Sequence, residues 1–203
     1  MRPLRALEKK GLELTVVQCS NQGFLNPSDL ERVIKPNTRM LALIHASNVV
    51  GSLLPITEAG EIARKNNLLF LVDAGQTAGA YPIDVEAQKI DFLAFTGHKS
   101  LLGPQGTGGL YIGERVNLNE FKPLKSGGTG SGSESEEQPE FLPDKYESGT
   151  LNAVGIAGLL AGVSFVLEKG VEEIRGQEME LTKILIDGLL EIPGLTIYGG
   201  KNV

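Results

Sequence analysis

At 203 residues the chain is long enough for one well-buried core with a small appendage, which sets aside peptide-like and metal-stapled folds. Its 19 basic and 25 acidic residues leave a net charge of -6, which disfavours nucleic acid and anionic membrane as partners. One cysteine, Cys19, excludes an internal disulfide, and two histidines, His45 and His98, are too few for a histidine-rich metal centre.

The opening "MRPLRALEKKG" has no apolar core of a signal peptide and reads as a core-facing amphipathic helix. Pro3 suits its first turn, Leu4 and Leu7 share a face, and Gly11 is a stop. Apolar runs then alternate with helical patterns. "LELTVV", "MLALIHA", "LLFLVDA", "DFLAFT" and "GGLYIG" read as strands, while "NPSDLERVI" and "PITEAGEIARKNN" read as helices capped at Ser28 and Thr57. "LALIHA" and "LLFLVDA" lack polar alternation, as strands buried on both faces of a parallel sheet do. From Lys125, "KSGGTGSGSESEEQPEFLPDKYESGT" is too polar to pack and reads as a long loop, with Glu134 to Glu137 as solvated charge. Two helices follow, "NAVGIAGLLAGVSFVLEKG" and "VEEIRGQEMELTKILIDGLLEI", and "PGLTIYG" reads as the start of another strand. No apolar run approaches the ~20 residues that span a bilayer, so the default expectation is a cytoplasmic protein.

In an open α/β sheet, ligands gather beyond the carboxyl ends of the parallel strands. The strand in "LALIHASNVVG" leads to His45, Ser47 and Asn48, that in "LLFLVDAGQTAG" to Asp73 and Gln76, and that in "DFLAFTGHKS" to Thr96, His98 and Lys99. Residues 77–90 are long enough to cross over between parallel strands, which brings Asp73 and Lys99 to one crevice. Alone, a carboxylate and a lysine there read as an ion pair. Their surroundings fit pyridoxal phosphate better: the cofactor needs a lysine, an anion at the ring nitrogen, and donors for its phosphate and ring hydroxyl. The glycines from Gly103 to Gly109 lack the lysine and the strand-to-helix setting of a nucleotide loop and read as turn chemistry. Cys19 reads as a structural thiol and His45 as a satisfied core histidine.

The blocks "HASNVVG", "VDAGQTAG", "TGHKSLLGPQGTGGLYIG" and "ESGTLN", in this order, resemble the class V aminotransferase family, most closely its cysteine desulfurase branch. The resemblance implies the type I pyridoxal phosphate fold, an α/β fold with a mixed, mostly parallel sheet, working as a homodimer. It implies a large cofactor-binding domain over 1–168 and, over 169–203, a linker helix opening a smaller domain. By that resemblance Lys99 forms the Schiff base, Asp73 pairs with the ring nitrogen, and Gln76 bonds the ring hydroxyl. Asn48 lies near that hydroxyl and the substrate carboxylate. Thr96 and His98 hold the phosphate from their own subunit and Thr150 from the other. Gly75 stands where the family often has alanine or serine.

The resemblance is to the central block of a longer enzyme. The N-terminal phosphate loop and stacking histidine, and the C-terminal domain with the nucleophilic cysteine and carboxylate-binding arginine, have no counterpart here. The implied substrate is L-cysteine, giving alanine and a protein-bound persulfide, with a sulfur-acceptor protein as a further partner. The isolated chain is expected to be inactive. Selenocysteine or another amino acid as substrate, another class V aminotransferase or lyase, and a structural or dimerising fragment remain alternatives.

Overall fold

Short aliphatic and aromatic runs bounded by glycine, proline and asparagine make the sheet on which the rest is arranged. In the computed structural model residues 1–132 and 134–200 are described; Ser133 of the polar stretch and residues 201–203 lie outside them. The elements are α1 (Arg2–Glu8), α2 (Pro27–Val33), β1 (Met40–Ile44), α3 (Ile56–Lys65), β2 (Leu69–Asp73), β3 (Phe92–Thr96), β4 (Gly108–Ile112), α4 (Ala153–Lys169) and α5 (Val171–Leu190). The sheet order is β1-β2-β3-β4. The first three strands are parallel and β4 is antiparallel to β3, which is the mixed, mostly parallel arrangement expected. Ile44 lies opposite Asp73, and Asp73 opposite Ala94, so the three parallel strands end together.

The core sits on one face of this sheet. Ile56, Ala59, Ile62 and Ala63 of α3 and Leu30 of α2 pack on Leu41 and Leu43 of β1 and on Phe70 and Val72 of β2. This burial supplies most of the driving force, at about 25 cal/mol per Å² of apolar area removed from water. On the opposite face Met40, Ala42 and Ile44 are exposed, so β1 is not buried on both sides as its composition suggests. Alternate strand residues point to opposite faces, and among the described residues no helix covers that side of β1. Phe92 on that side is buried by another route. Phe121 packs on it at 5.2 Å between ring centroids, Tyr146 packs on Phe121 at 4.9 Å, and the Tyr146 hydroxyl donates to Phe121 O at 2.8 Å. The polar stretch therefore does pack near its end. Lys145 is buried there, donating to Leu118 O at 2.9 Å and paired with Glu140.

Asp91 ties three elements. Buried just before β3, it accepts the Phe70 N–H of β2 at 2.9 Å and the Arg115 guanidinium beyond β4 at 3.2 Å. A buried carboxylate is tolerated because these donors replace its water.

Several local expectations change. "LELTVV" forms no ladder; Glu13 is instead held by Asn37 at 2.7 Å and by Lys35, while Val17 packs on the core. "PGLTIYG" forms none either. Helix α1 has no buried residue, and Leu7 is exposed, so it does not face the core. The α2 cap is Asn26, whose side chain accepts Ser28 N–H at 3.1 Å; Ser28 is inside the helix, as Thr57 is inside α3 behind Pro55. The "NAVGIAG" and "VEEIRG" helices stand as read. No single described helix is long and apolar enough to cross a membrane.

Candidate functional site

The polar residues singled out in sequence gather at the carboxyl ends of β1, β2 and β3. His45 follows β1, Asp73 ends β2 and Thr96 ends β3. Pairing continues past the strands, with His45 N–H donating to Asp73 O at 2.9 Å and Ala74 N–H to Ala94 O at 2.8 Å. Asp73, Ala94 and Thr96 share one face of the sheet, because Asp73 lies opposite Ala94 and Thr96 is two residues on.

The Asp73 carboxylate is exposed, and its Oδ1 accepts Gly75 N–H at 2.9 Å in a tight turn. An added Cβ on Gly75 would lie 3.0 Å from Asp73 Oδ1 and 3.8 Å from Thr96 Cγ2. A side chain at Gly75 would thus press on the carboxylate, with the threonine at ordinary contact distance. Thr96 Oγ1 and His98 Nδ1 are hydrogen-bonded at 2.8 Å. In one tautomer Nδ1 accepts from the hydroxyl and Nε2–H is left to donate; in the other Nδ1–H donates and the threonine hydroxyl is left free. Either way the pair keeps a proton for an anion.

Lys99 lies in the turn after β3, and the glycine-rich loop explains its placement. Gly97 N–H donates to Thr107 O at 2.8 Å, Gly103 N–H to Gly97 O at 2.7 Å, and Leu102 N–H to Lys99 O at 2.8 Å. A Cβ on Gly97 would strike Thr107 Oγ1 at 2.2 Å. The loop therefore folds back on the backbone that carries His98 and Lys99. Among the described residues neither Asp73 nor Lys99 is in an ion pair, so the pairing reading is not met.

Gln76 and Asn48 are exposed beside this cluster in sequence. Asn48 rides a turn closed by Ser47 N–H to Ser52 O at 3.0 Å. Thr150 is also exposed, in a separate loop where Gly149 N–H donates to Gly128 O at 2.7 Å. It shares no hydrogen bond with the strand-end cluster among the described residues. Cys19 is exposed rather than buried.

His45 is buried, with 2% of its surface exposed, yet its Nδ1 has no hydrogen-bond partner among the described residues. It is a core histidine, but not a satisfied one. Burial, and then the positive charge of Arg175, push its pKa down to about 4. Its ring meets Tyr81 edge-on at 5.1 Å and 84°, and the Arg175 guanidinium lies 4.2 Å from the Tyr81 ring centroid. Nothing in the spacing of Tyr81 and Arg175 singles them out in sequence.

Comparison with known proteins adds to this geometry. The sequence model of the family described as Aminotransferase class-V matches residues 1–203. A probable cysteine desulfurase of Halalkalibacterium halodurans is 36% identical over 202 residues, which is 95% of this chain and 47% of that protein. A probable cysteine desulfurase of Pyrococcus abyssi is 37% identical over 205 residues, 98% of this chain and 49% of that protein. The apo structure of a cysteine desulfurase from Thermococcus onnurineus superposes with a TM-score of 0.88 at 36% identity, covering 100% of this chain and 50% of its own. The chain spans about half the length of these relatives.

Proposed function

The chain belongs to the class-V aminotransferase family, and from that premise we propose that it forms the cofactor-holding centre of a pyridoxal phosphate-dependent cysteine desulfurase acting on L-cysteine. The observation that carries the reading is the grouping at the ends of β2 and β3 of the Asp73 carboxylate, the side-chain-free Gly75 and Thr96, with Thr96 bonded to His98 and Lys99 in the next turn. The donor set fits the cofactor: one anion, one anion-binding pair and one amine that is outside any ion pair among the described residues. When bound, pyridoxal phosphate supplies an electron sink for negative charge on the substrate α-carbon.

The residues of this chain do the rest. Gly75 N–H holds Asp73 Oδ1, which fixes a negative charge where a protonated ring nitrogen is stabilised. Lys99 tethers the cofactor and then offers an amine that moves protons at the α-carbon. Thr96 and His98 present their spare proton to the phosphate. Gln76 serves the ring hydroxyl, and Asn48 that hydroxyl and the substrate carboxylate. We assign residues 1–168 to the cofactor domain and 169–203 to the link with a smaller one, with a sulfur-acceptor protein as downstream partner and the cytoplasm as the setting.

Thr150, apart from the cluster in its own chain, is proposed to reach the phosphate of a second copy. Thr150→Val is expected to weaken retention of pyridoxal phosphate about tenfold, as loss of a hydrogen bond to a charged group does, with unchanged thermal melting. Gel filtration of the cofactor-loaded protein measures both retention and size. A monomer that retains cofactor as well as before the substitution contradicts the shared site.

Sulfur removal requires a thiolate within about 3 to 3.5 Å of the substrate sulfur. Cys19 is the one cysteine, exposed and without a hydrogen bond to the strand-end residues. Residues 1–203 by themselves are therefore expected to bind the cofactor and release no sulfide from L-cysteine. Turnover that survives Cys19→Ser and vanishes in Lys99→Ala would overturn this part of the reading.

A further inference from the structure

We propose that Arg175, Tyr81 and His45 form a positioning relay through which helix α5 fixes the end of β2, and with it the Asp73 carboxylate. Helix α5 is weakly held. None of its 20 residues is buried, and among the described elements it packs against α4 alone, turning from it by 82° at Gly170. Arg175 ties it to the turn that follows β2, its guanidinium lying over Tyr81 at 4.2 Å. Such a stack is favourable because the ring face is electron-rich.

Tyr81 is rooted in the turn that leaves β2. Its N–H donates to Thr77 O at 2.8 Å, and Thr77 N–H to Ala74 O at 3.0 Å. Its ring meets His45 edge-to-face. His45 in turn bridges strand ends by its backbone, donating to Asp73 O at 2.9 Å and accepting Leu54 N–H at 2.8 Å. Among the described residues the buried imidazole has no partner at Nδ1. No polar contact at that atom holds the ring, so packing against Tyr81 sets its position, and Arg175 sets that of Tyr81. Burial first, and then the cation above Tyr81, favour the uncharged imidazole, which preserves the apolar packing. The inference rests on the reading above only in naming what Asp73 serves; the relay acts with or without cofactor.

Amide hydrogen exchange of the full chain without cofactor tests it. The His45 amide, bonded to Asp73 O, and the Leu69 amide, bonded to Arg39 O at 3.0 Å, lie at opposite ends of one β1–β2 ladder. Arg175→Met keeps the aliphatic stem and removes the cation. It is expected to speed exchange at His45 about tenfold and leave Leu69 unchanged. Tyr81→Leu is expected to do the same, and Tyr81→Phe, which keeps the ring, to behave as the parent. Unchanged exchange at His45 overturns the relay, and so does an equal rise at both amides, which marks a general loss of stability. In a second arm the chain is titrated with pyridoxal phosphate. Arg175→Met is expected to bind it severalfold more weakly than the parent. Binding unaffected while the His45 amide loosens overturns the link to Asp73, whereas a parent chain that does not bind the cofactor overturns the functional reading and leaves the relay standing on the exchange result.

Discussion

Lys99→Ala is expected to abolish site-specific labelling of the chain by pyridoxal phosphate and borohydride, reducing it to the background of surface lysines. The cofactor aldehyde reacts with any unprotonated amine, so selectivity must come from placement. Holding the reacting groups together is equivalent to an effective concentration of about 10⁵ M or more in well-oriented cases, which outweighs any excess of exposed lysines. Among the described residues Lys99 is in no ion pair, and it lies one residue after the Thr96–His98 pair that is proposed to hold the phosphate. Lys35, Lys65, Lys89 and Lys169 are each engaged by a glutamate, and Lys145 is buried against Leu118 O. Peptide mapping of the reduced protein should give one dominant modified peptide, that containing Lys99, and lose it in the variant. Asp73→Asn should leave the labelled position unchanged and weaken retention before reduction, because the negative charge beside the ring nitrogen is gone while the Gly75 contact can persist. A dominant label on any other lysine sinks both the tether and the site built around it.

The strands and the residues at their ends were legible because their signals are local. "LFLVD" and "FLAFT" are short aliphatic and aromatic runs closed by polar residues, and those polar residues fall at the carboxyl ends where parallel strands place ligand groups. What escaped depends on partners distant in sequence. "LELTVV" has the alternation of a strand, but a strand exists only when another edge accepts its backbone, and Glu13 and Val17 are engaged elsewhere. The apolar run of β1 suggests burial on two faces, although which face a helix covers is decided by α3 and not by β1. Lys145 looks like one more solvated charge in a polar stretch, and its burial is tolerated because Leu118 O and Glu140 accept hydrogen bonds from its ammonium. The closeness of Gly75 to both Asp73 and Thr96 is not legible either, because those neighbours come from two strands.

The state of His45 is the furthest from anything local, and it has a measurable consequence. Its folded pKa, about 4, lies below the ordinary value of 6.5. The folded state thus refuses a proton that the unfolded chain takes up as pH falls below 6.5. Stability from this residue is complete above that pH and is lost between 6.5 and 4, because there the unfolded state binds more protons. At 1.36 kcal/mol per pH unit the loss reaches about 3 kcal/mol, a sizeable part of the 5 to 15 kcal/mol typical of a domain. The two glutamates held low by lysines, Glu13 with Lys35 and Asn37 and Glu140 with Lys145, act in a separate window: their stabilisation is present above about 4.5 and lost below it. Urea unfolding at pH 7.5, 6.5, 5.5 and 4.8 is therefore expected to show the parent losing about 2 kcal/mol across the series. His45→Phe, which keeps a ring against Tyr81 and cannot be protonated, should lose almost none of it. Because the charge of Arg175 contributes to the depressed pKa, Arg175→Met should move the imidazole titration upward and flatten the slope, without reaching the flat profile of the phenylalanine variant, since burial is the larger cause. Parallel slopes in the parent and His45→Phe would place the acid sensitivity elsewhere and remove the neutral buried histidine from the description of the strand ends.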